Sequence, residues 1–165
     1  MSYRLDIGAG PRSDCDVQID MFPWNDKVIV HDIVDTPWPL ESEIFDEVRM
    51  EQVLEHIPTV SYFRENGKMT HVYPRVMVMK EIHRVLKRGG LLHLSVPLLD
   101  DAFRQDPTHA APRVTGGMLN YFCGEWGGNT PGEFVNDAYG INFAFKKEEE
   151  FMTGPILTVR MRKVG

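Results

Sequence analysis

Short runs of aliphatic and β-branched residues, each closed by a carboxylate or a glycine and then a breaker, occupy the first part of the chain. Arg4-Leu5-Asp6-Ile7 runs into Gly8-Ala9-Gly10-Pro11, Val17-Gln18-Ile19-Asp20 stops at Met21-Phe22-Pro23, and Lys27-Val28-Ile29-Val30-His31-Asp32 stops before Pro37-Trp38-Pro39. This punctuation predicts three strands. A fourth run over 45–50 leads into a helical turn over 53–57 that Pro58 limits. Further on, Val78, Met79, Ile82, Val85 and Leu86 fall at i, i+1, i+4, i+7 and i+8, which predicts a helix over 75–88 with one buried stripe. Arg84, Lys87 and Arg88 sit at the end its dipole favours for cations, and Gly89-Gly90 should stop it. Leu91-Leu92-His93-Leu94-Ser95-Val96 then reads as an apolar strand closed by Pro97. A helix feeding a buried strand is the α/β pattern.

From 99 to 138 the texture changes to Asp106-Pro107-Thr108-His109, a short helix over 115–122, and a loop holding Gly124, Gly127, Gly128 and Gly132. Such a stretch is long for a connection and reads as an insertion over a substrate, able to open and close on its glycines. The chain closes with 141–145, the polar run 146–150 and 156–162, predicting two antiparallel strands around a turn. At 165 residues the whole reads as one domain, 1–165, with that insertion. Its 42% hydrophobic and 25% charged residues are ordinary for a globular protein and exclude a disordered or fibrous chain.

Eighteen Lys and Arg against 24 Asp and Glu leave a net charge of −6, which disfavours nucleic acid as a partner. No apolar run is long enough to span a bilayer, and the first residues lack a signal-peptide core, so the expected location is cytoplasmic. Cys15 and Cys123 match no metal or redox spacing, and no His/Asp/Glu spacing along the chain predicts a metal site.

The glycines after the first strand let a ligand approach the backbone, and Asp20 and Asp32 end the next two strands, where open α/β sheets bind ligands. A carboxylate at the second strand end can accept hydrogen bonds from both ribose hydroxyls, and one at the third can meet an adenine amino group. A dinucleotide site would need a third glycine at 13 opening a helix; Ser13 stands there and no helix has room, which makes a nicotinamide enzyme the weaker alternative. Among the histidines, His31, His83 and His93 lie within elements and read as structural, whereas His56 and His109 lie where a second substrate would enter.

The order Leu5 to Gly10, Asp20, His31-Asp32-Ile33, Pro37-Trp38-Pro39-Leu40, Phe45-Asp46-Glu47-Val48, Val53-Leu54-Glu55-His56-Ile57 and Glu81-Ile82-His83-Arg84-Val85-Leu86-Lys87-Arg88-Gly89-Gly90 resembles small class I S-adenosylmethionine-dependent methyltransferases of the type 11 kind, over residues 4–97. The resemblance implies a minimal, mostly parallel Rossmann-like sheet with a C-terminal antiparallel hairpin, S-adenosylmethionine as cofactor, and methyl transfer to an acceptor: a small molecule, a sugar or a protein side chain. A silent relative that binds or scaffolds is the alternative. Asp6, Gly8 and Gly10 would shape the methionine side of the site. Asp20 and Met21 would border the ribose, Asp32 and Ile33 the adenine, and Met50, Glu51 and Gln52 the floor. His109 and then His56 are the candidate bases. The pocket wall should come from 58–74 and 99–138. Only short links join the first three strands, so the first two crossover helices should be missing. The sheet face they leave is expected to expose apolar surface, which either the 99–138 insertion or the second subunit of a homodimer would cover.

Overall fold

A computed structural model describes residues 2–123 and 139–165; the side chain of Ala102 and the predicted glycine lid lie outside what is described. The chain forms β1 (Arg4–Ile7), β2 (Val17–Asp20), β3 (Val28–Val30), β4 (Phe45–Glu51), β5 (Ser61–Glu65), β6 (Lys68–Val72), α1 (Pro74–Val85), β7 (Leu86–Pro97), α2 (Asp100–Arg104), α3 (Gly116–Leu119), β8 (Ala144–Thr153) and β9 (Ile156–Val164). Seven strands make one sheet in the order β3-β2-β1-β4-β7-β9-β8. The first five pair in parallel, and β9 and β8 add antiparallel to β7. This is the mostly parallel α/β sheet with a C-terminal hairpin that the residues predict. The missing crossovers are equally clear: a 3-10 turn over Gly10–Arg12 is the sole helical element between β1 and β2, and none stands between β2 and β3.

The sheet is two-faced, and register makes it so. Leu5 pairs with Val17 and Val48, Ile7 with Ile19 and Met50, Leu92 with Val48 and Met161, and Leu94 with Met50 and Val159. Aligned this way, the strands put their aliphatic residues on one side, where Val78, Met79, Ile82 and Val85 of α1 join the same fully buried core. Asp6 pairs with Gln18 and Arg49, Arg49 with His93, and His93 with Arg160, so the other side is polar. There Arg49 Nη2 lies 2.6 Å from Asp6 Oδ2, Arg160 Nε donates to His93 Nδ1 at 3.2 Å, and Arg160 meets Glu149 at 2.9 Å. The loops that replace the crossover helices settle on this side with polar bonds: Asn25 Nδ2 donates to Gln18 Oε1, and Gln18 Nε2 to the Ser13 carbonyl. The expected apolar face is therefore corrected. Period-two alternation supplies a polar surface where helices would have covered an apolar one, which removes that reason for self-association.

Two local expectations also shift. The helix ends at Val85 because Leu86 pairs with Phe45 of β4, and 87–90 bulge from the ladder between that pair and Glu47 with Leu91. The polar run 146–150 is strand, not turn; on this edge strand Glu148 and Glu149 meet Arg162 and Arg160 of β9, Glu150 meets Lys147, and the reversal comes at Gly154. Residues 61–72 form a separate hairpin whose two-residue turn is Asn66-Gly67, with φ of 48° and 80°. Asn-Gly is a strong signal for such a turn because both positions need positive φ.

His83 is structural, as expected. It leaves α1 to donate from Nε2 to the Val164 carbonyl at 3.1 Å and packs its ring against Phe143 and Phe145. Burial holds its pKa below the usual 6.5, opposed by its backbone hydrogen bonds; the charges facing it are Lys163, which lowers it further, and Glu43, which raises it. Between the two pKa values the unfolded chain binds the extra proton, so acid favours unfolding. Urea midpoints are expected to fall as pH drops below about 6.5, and less so in His83→Gln. A midpoint whose pH dependence is the same in both proteins would exclude this role.

Candidate functional site

The direction of strand order reverses between β1 and β4, and ligands of open parallel sheets bind at that point, outside the carboxyl ends. A cleft of about 380 Å³ opens there, lined by Gly8, Asp20, Met21, Phe22, Asp32 and Ile33 on the β1–β3 side and by Val53, His56, Ile57 and Pro58 on the side of the segment after β4. The walls are largely apolar, and two carboxylates stand among them.

Each carboxylate is held by the backbone. Asp20 Oδ2 accepts from Gly10 N at 3.0 Å and Oδ1 from Phe22 N at 2.9 Å, so one side chain ties together the loops after β1 and β2. Asp32 Oδ1 accepts from Val34 N at 3.1 Å. Every carboxylate oxygen carries more than one acceptor site, so capacity remains for a ligand's hydroxyl or amino hydrogens. Ile33 is fixed from behind: its carbonyl accepts from the indole of buried Trp38 at 2.8 Å, and Trp38 N donates to Glu81 of α1. Pro37-Trp38-Pro39 thus bolts the Ile33 wall of the cleft to the helix. Gly8 has φ +66°, and a Cβ there would lie 2.3 Å from Val53 Cγ2, so both the turn and the contact across the cleft require glycine.

Of the residues singled out in the sequence, Gly8, Asp20, Met21, Asp32, Ile33 and His56 line this cleft together. Gly10 buttresses it through Asp20. Besides Gly10 and His109, four more do not line it. Asp6 is buried against Arg49 on the polar sheet face, Met50 is fully buried in the core, and Glu51 stands exposed at the strand end. Gln52, with φ +56°, turns to Ser95, donating N–H to its carbonyl and Nε2–H to its Oγ. The floor expected from Met50, Glu51 and Gln52 is supplied instead by Val53, Ile57 and Pro58.

His109 reaches the site from a distant part of the chain. Buried Arg75, at the start of α1, donates to the carbonyls of Ile57, Ala110 and Pro112, and Ala110 N donates to the Glu55 carbonyl at 2.7 Å. This clamp lays 106–112 along the turn after β4. The rings of His56 and His109 meet edge to face with centroids 4.7 Å apart. Burial, and next the neighbouring His109, hold His56 below the usual imidazole range. Glu55 is 1% exposed, neither carboxylate oxygen has a hydrogen-bond partner, and burial pushes its pKa up to about 7. Neither Glu55 nor Arg75 was singled out from the sequence. A glutamate flanked by Leu54 and His56 in a short apolar turn was the signal for the first; nothing marks Arg75 until its partners fold onto it.

No family model matches the chain, and no curated protein does. Solved structures do match its fold. A Burkholderia thailandensis 1,6-didemethyltoxoflavin-N1-methyltransferase with 1,6-didemethyltoxoflavin and S-adenosylhomocysteine bound superposes with a TM-score of 0.58 at 14% identity, over 99% of this chain and 72% of that one. The 16S rRNA (adenine(1408)-N(1))-methyltransferase of Catenulisporales acidiphilia with SAM gives 0.55 at 13% identity, over 99% and 85%. The N-methyltransferase NodS of Bradyrhizobium japonicum WM9, in complex with S-adenosyl-L-homocysteine, gives 0.52 at 14%, over 98% and 78%. The chain has the fold of the class I S-adenosylmethionine-dependent methyltransferases. No helix among the described residues is long and apolar enough to cross a membrane.

Proposed function

We propose that the chain binds S-adenosylmethionine in the cleft at the ends of β1, β2 and β3 and transfers its methyl group to an acceptor. The observation that carries this reading is the opening of Asp20 and Asp32, from the ends of adjacent strands, into one cleft beside the Gly8 backbone. The residues fit the group: both carboxylates keep acceptor capacity, and the rest of the wall is apolar enough to take a purine ring. Asp20 holds the ribose hydroxyls, with Met21 beside it. Asp32 and Ile33 border the adenine, and Phe22, 58% exposed at the rim, covers it. Gly8 and Gly10 keep the methionine side open.

When bound, the cofactor supplies an electrophilic methyl on a sulfonium. What the protein adds is position and exclusion of water, the main sources of rate in a displacement that needs no covalent enzyme intermediate. Where the acceptor carries a proton, the paired rings of His56 and His109 are the groups placed to manage it. The acceptor enters past His56, beside the 106–112 segment that Arg75 holds against the turn after β4. The acceptor's class stays open among small molecules, sugars and protein side chains.

Calorimetry with S-adenosylmethionine, S-adenosylhomocysteine and NAD tests the reading. Saturable binding of the first two without NAD is the expected result. Binding of NAD alone, or of none, would defeat it.

A further inference from the structure

Among the described residues, Glu55, His56 and His109 form the one group whose ligand atoms converge in the manner of a metal site, each offering an atom within 4.8 Å of the others. Zinc bound at about 2.0–2.2 Å by a tetrahedral donor set places those atoms about 3.4 Å apart, so the three side chains would draw together on an ion.

The hydrogen bonds around the two rings assign their free nitrogens. Thr108 spends its one hydroxyl proton on Asp106 Oδ1, at 2.6 Å, so toward His56 it can only accept; His56 Nδ1, 2.8 Å away, is therefore the protonated nitrogen. His109 Nδ1 lies 2.7 Å from the Phe103 carbonyl, which can also only accept. Both rings are thereby set as Nδ1–H tautomers with the Nε2 lone pair available. A ring N–H fixed by a carbonyl, or by a hydroxyl backed by a carboxylate, is the support that metal-ligating histidines characteristically have.

Glu55 is the second, independent observation. Its carboxylate is buried and both oxygens lack any hydrogen-bond partner among the described residues, which is costly for a polar group unless something else satisfies it. Arg75, the buried cation nearby, directs its hydrogen bonds to the Ile57, Ala110 and Pro112 carbonyls and to Met118 Sδ instead. A cation lying between Glu55 and the two rings would take up these oxygens and both lone pairs together.

We propose that Glu55, His56 and His109 bind a divalent transition-metal ion, Zn²⁺ by the character of two imidazoles and one carboxylate. Three protein ligands leave a coordination position open, and His56 lines the cleft, so that position faces the place where an acceptor enters. Asp106 Oδ2, 3.8 Å from His109 Nε2, stands beside the site and can accept from a water on the ion. Resting on the methyl-transfer reading, the site also narrows the acceptor to a hydroxyl or thiol compound, whose proton a zinc ion makes easier to lose, the two rings then acting as ligands rather than as the base.

Chelator-treated protein is titrated with Zn²⁺ by calorimetry and with Co²⁺ by visible absorption, in the presence and absence of S-adenosylmethionine. One ion per chain is expected, with a visible Co²⁺ band and affinity at least tenfold weaker in His109→Ala and Glu55→Gln. The exposed ring of His56 provides a further variant, His56→Ala, whose fold is checked by circular dichroism, and His71→Ala on the separate hairpin should bind as the parent does. Absence of saturable binding of either ion overturns the proposal, as does unchanged affinity in a folded His56→Ala. Zinc binding without S-adenosylmethionine binding would uphold the metal site and remove the methyl-transfer reading; the reverse result would remove the metal site alone.

Discussion

Replacing Asp20 with alanine is expected to weaken S-adenosylmethionine binding by roughly ten- to a hundredfold, the scale of about 1.5–3 kcal/mol for charge-assisted hydrogen bonds. The loss has two sources. The ribose hydroxyls would lose their acceptor, and the Gly10 and Phe22 amides, which the two oxygens hold at 3.0 and 2.9 Å, would lose the tie that shapes both loops. Asparagine does not repair this. Its single carbonyl oxygen can serve one of those amides, while its NH₂ group would point a donor at the other. Asp20→Asn should therefore fall between alanine and the parent. The check is calorimetry beside a thermal melt: a lowered melting temperature with unchanged cofactor affinity would make Asp20 a loop anchor and take it out of the ligand site.

The largest loss of stability is expected from Ile82→Ala, at about 2–5 kcal/mol, the range for truncating a large aliphatic residue in a packed core. Ile82 is fully buried on α1, the longest helix among the described residues, over the single apolar face of the sheet. Doubly wound folds share their core between two helix layers. Here the opposite face contributes an ion ladder in place of a second layer, so a void under α1 removes a larger fraction of the total. Against a typical domain stability of 5–15 kcal/mol, that loss should show as a large drop in the urea midpoint. Arg162→Ala, which breaks an exposed pair with Glu148 on the polar side, should move the midpoint far less. Equal effects of the two substitutions would contradict the two-faced sheet.

Both predictions use elements that the residue pattern foretells to different degrees. The strands β1 to β4, the body of α1 and β7 follow from hydrophobic periodicity and from the breakers that bound them, and so do the lost crossover helices, because the links between the first three strands are too short for them. The place of Asp20 and Asp32 on the cleft was legible for the same local reason: a residue at or just past the end of a parallel strand stands at the edge where such sheets open. Asn66-Gly67 carries a hairpin signal of its own, which the expectation of a pocket wall over 58–74 does not include.

Chain-local pattern reaches no further than its own neighbours. Alternation in Arg4-Leu5-Asp6-Ile7 and Glu47-Val48-Arg49-Met50 shows that each strand has a polar side, yet only parallel register, with Asp6 against Arg49 and Arg49 against His93, decides that these sides coincide across the sheet. The polar residue of one strand is then satisfied by its neighbour, and no apolar face is left over. Glu55, His56 and His109 show the same division. The sequence supplies the donor types and the Asp106-Pro107-Thr108-His109 turn, but the distance between His56 and His109 is set by Arg75, which holds both segments through carbonyls that carry no sequence signature. The amino-acid order determined the elements, the breaks between them and the carboxylates at the strand ends, because those depend on period and turn chemistry; tertiary packing decided which faces met and which side chains converged, because register and burial are properties of contacts between residues far apart in the chain.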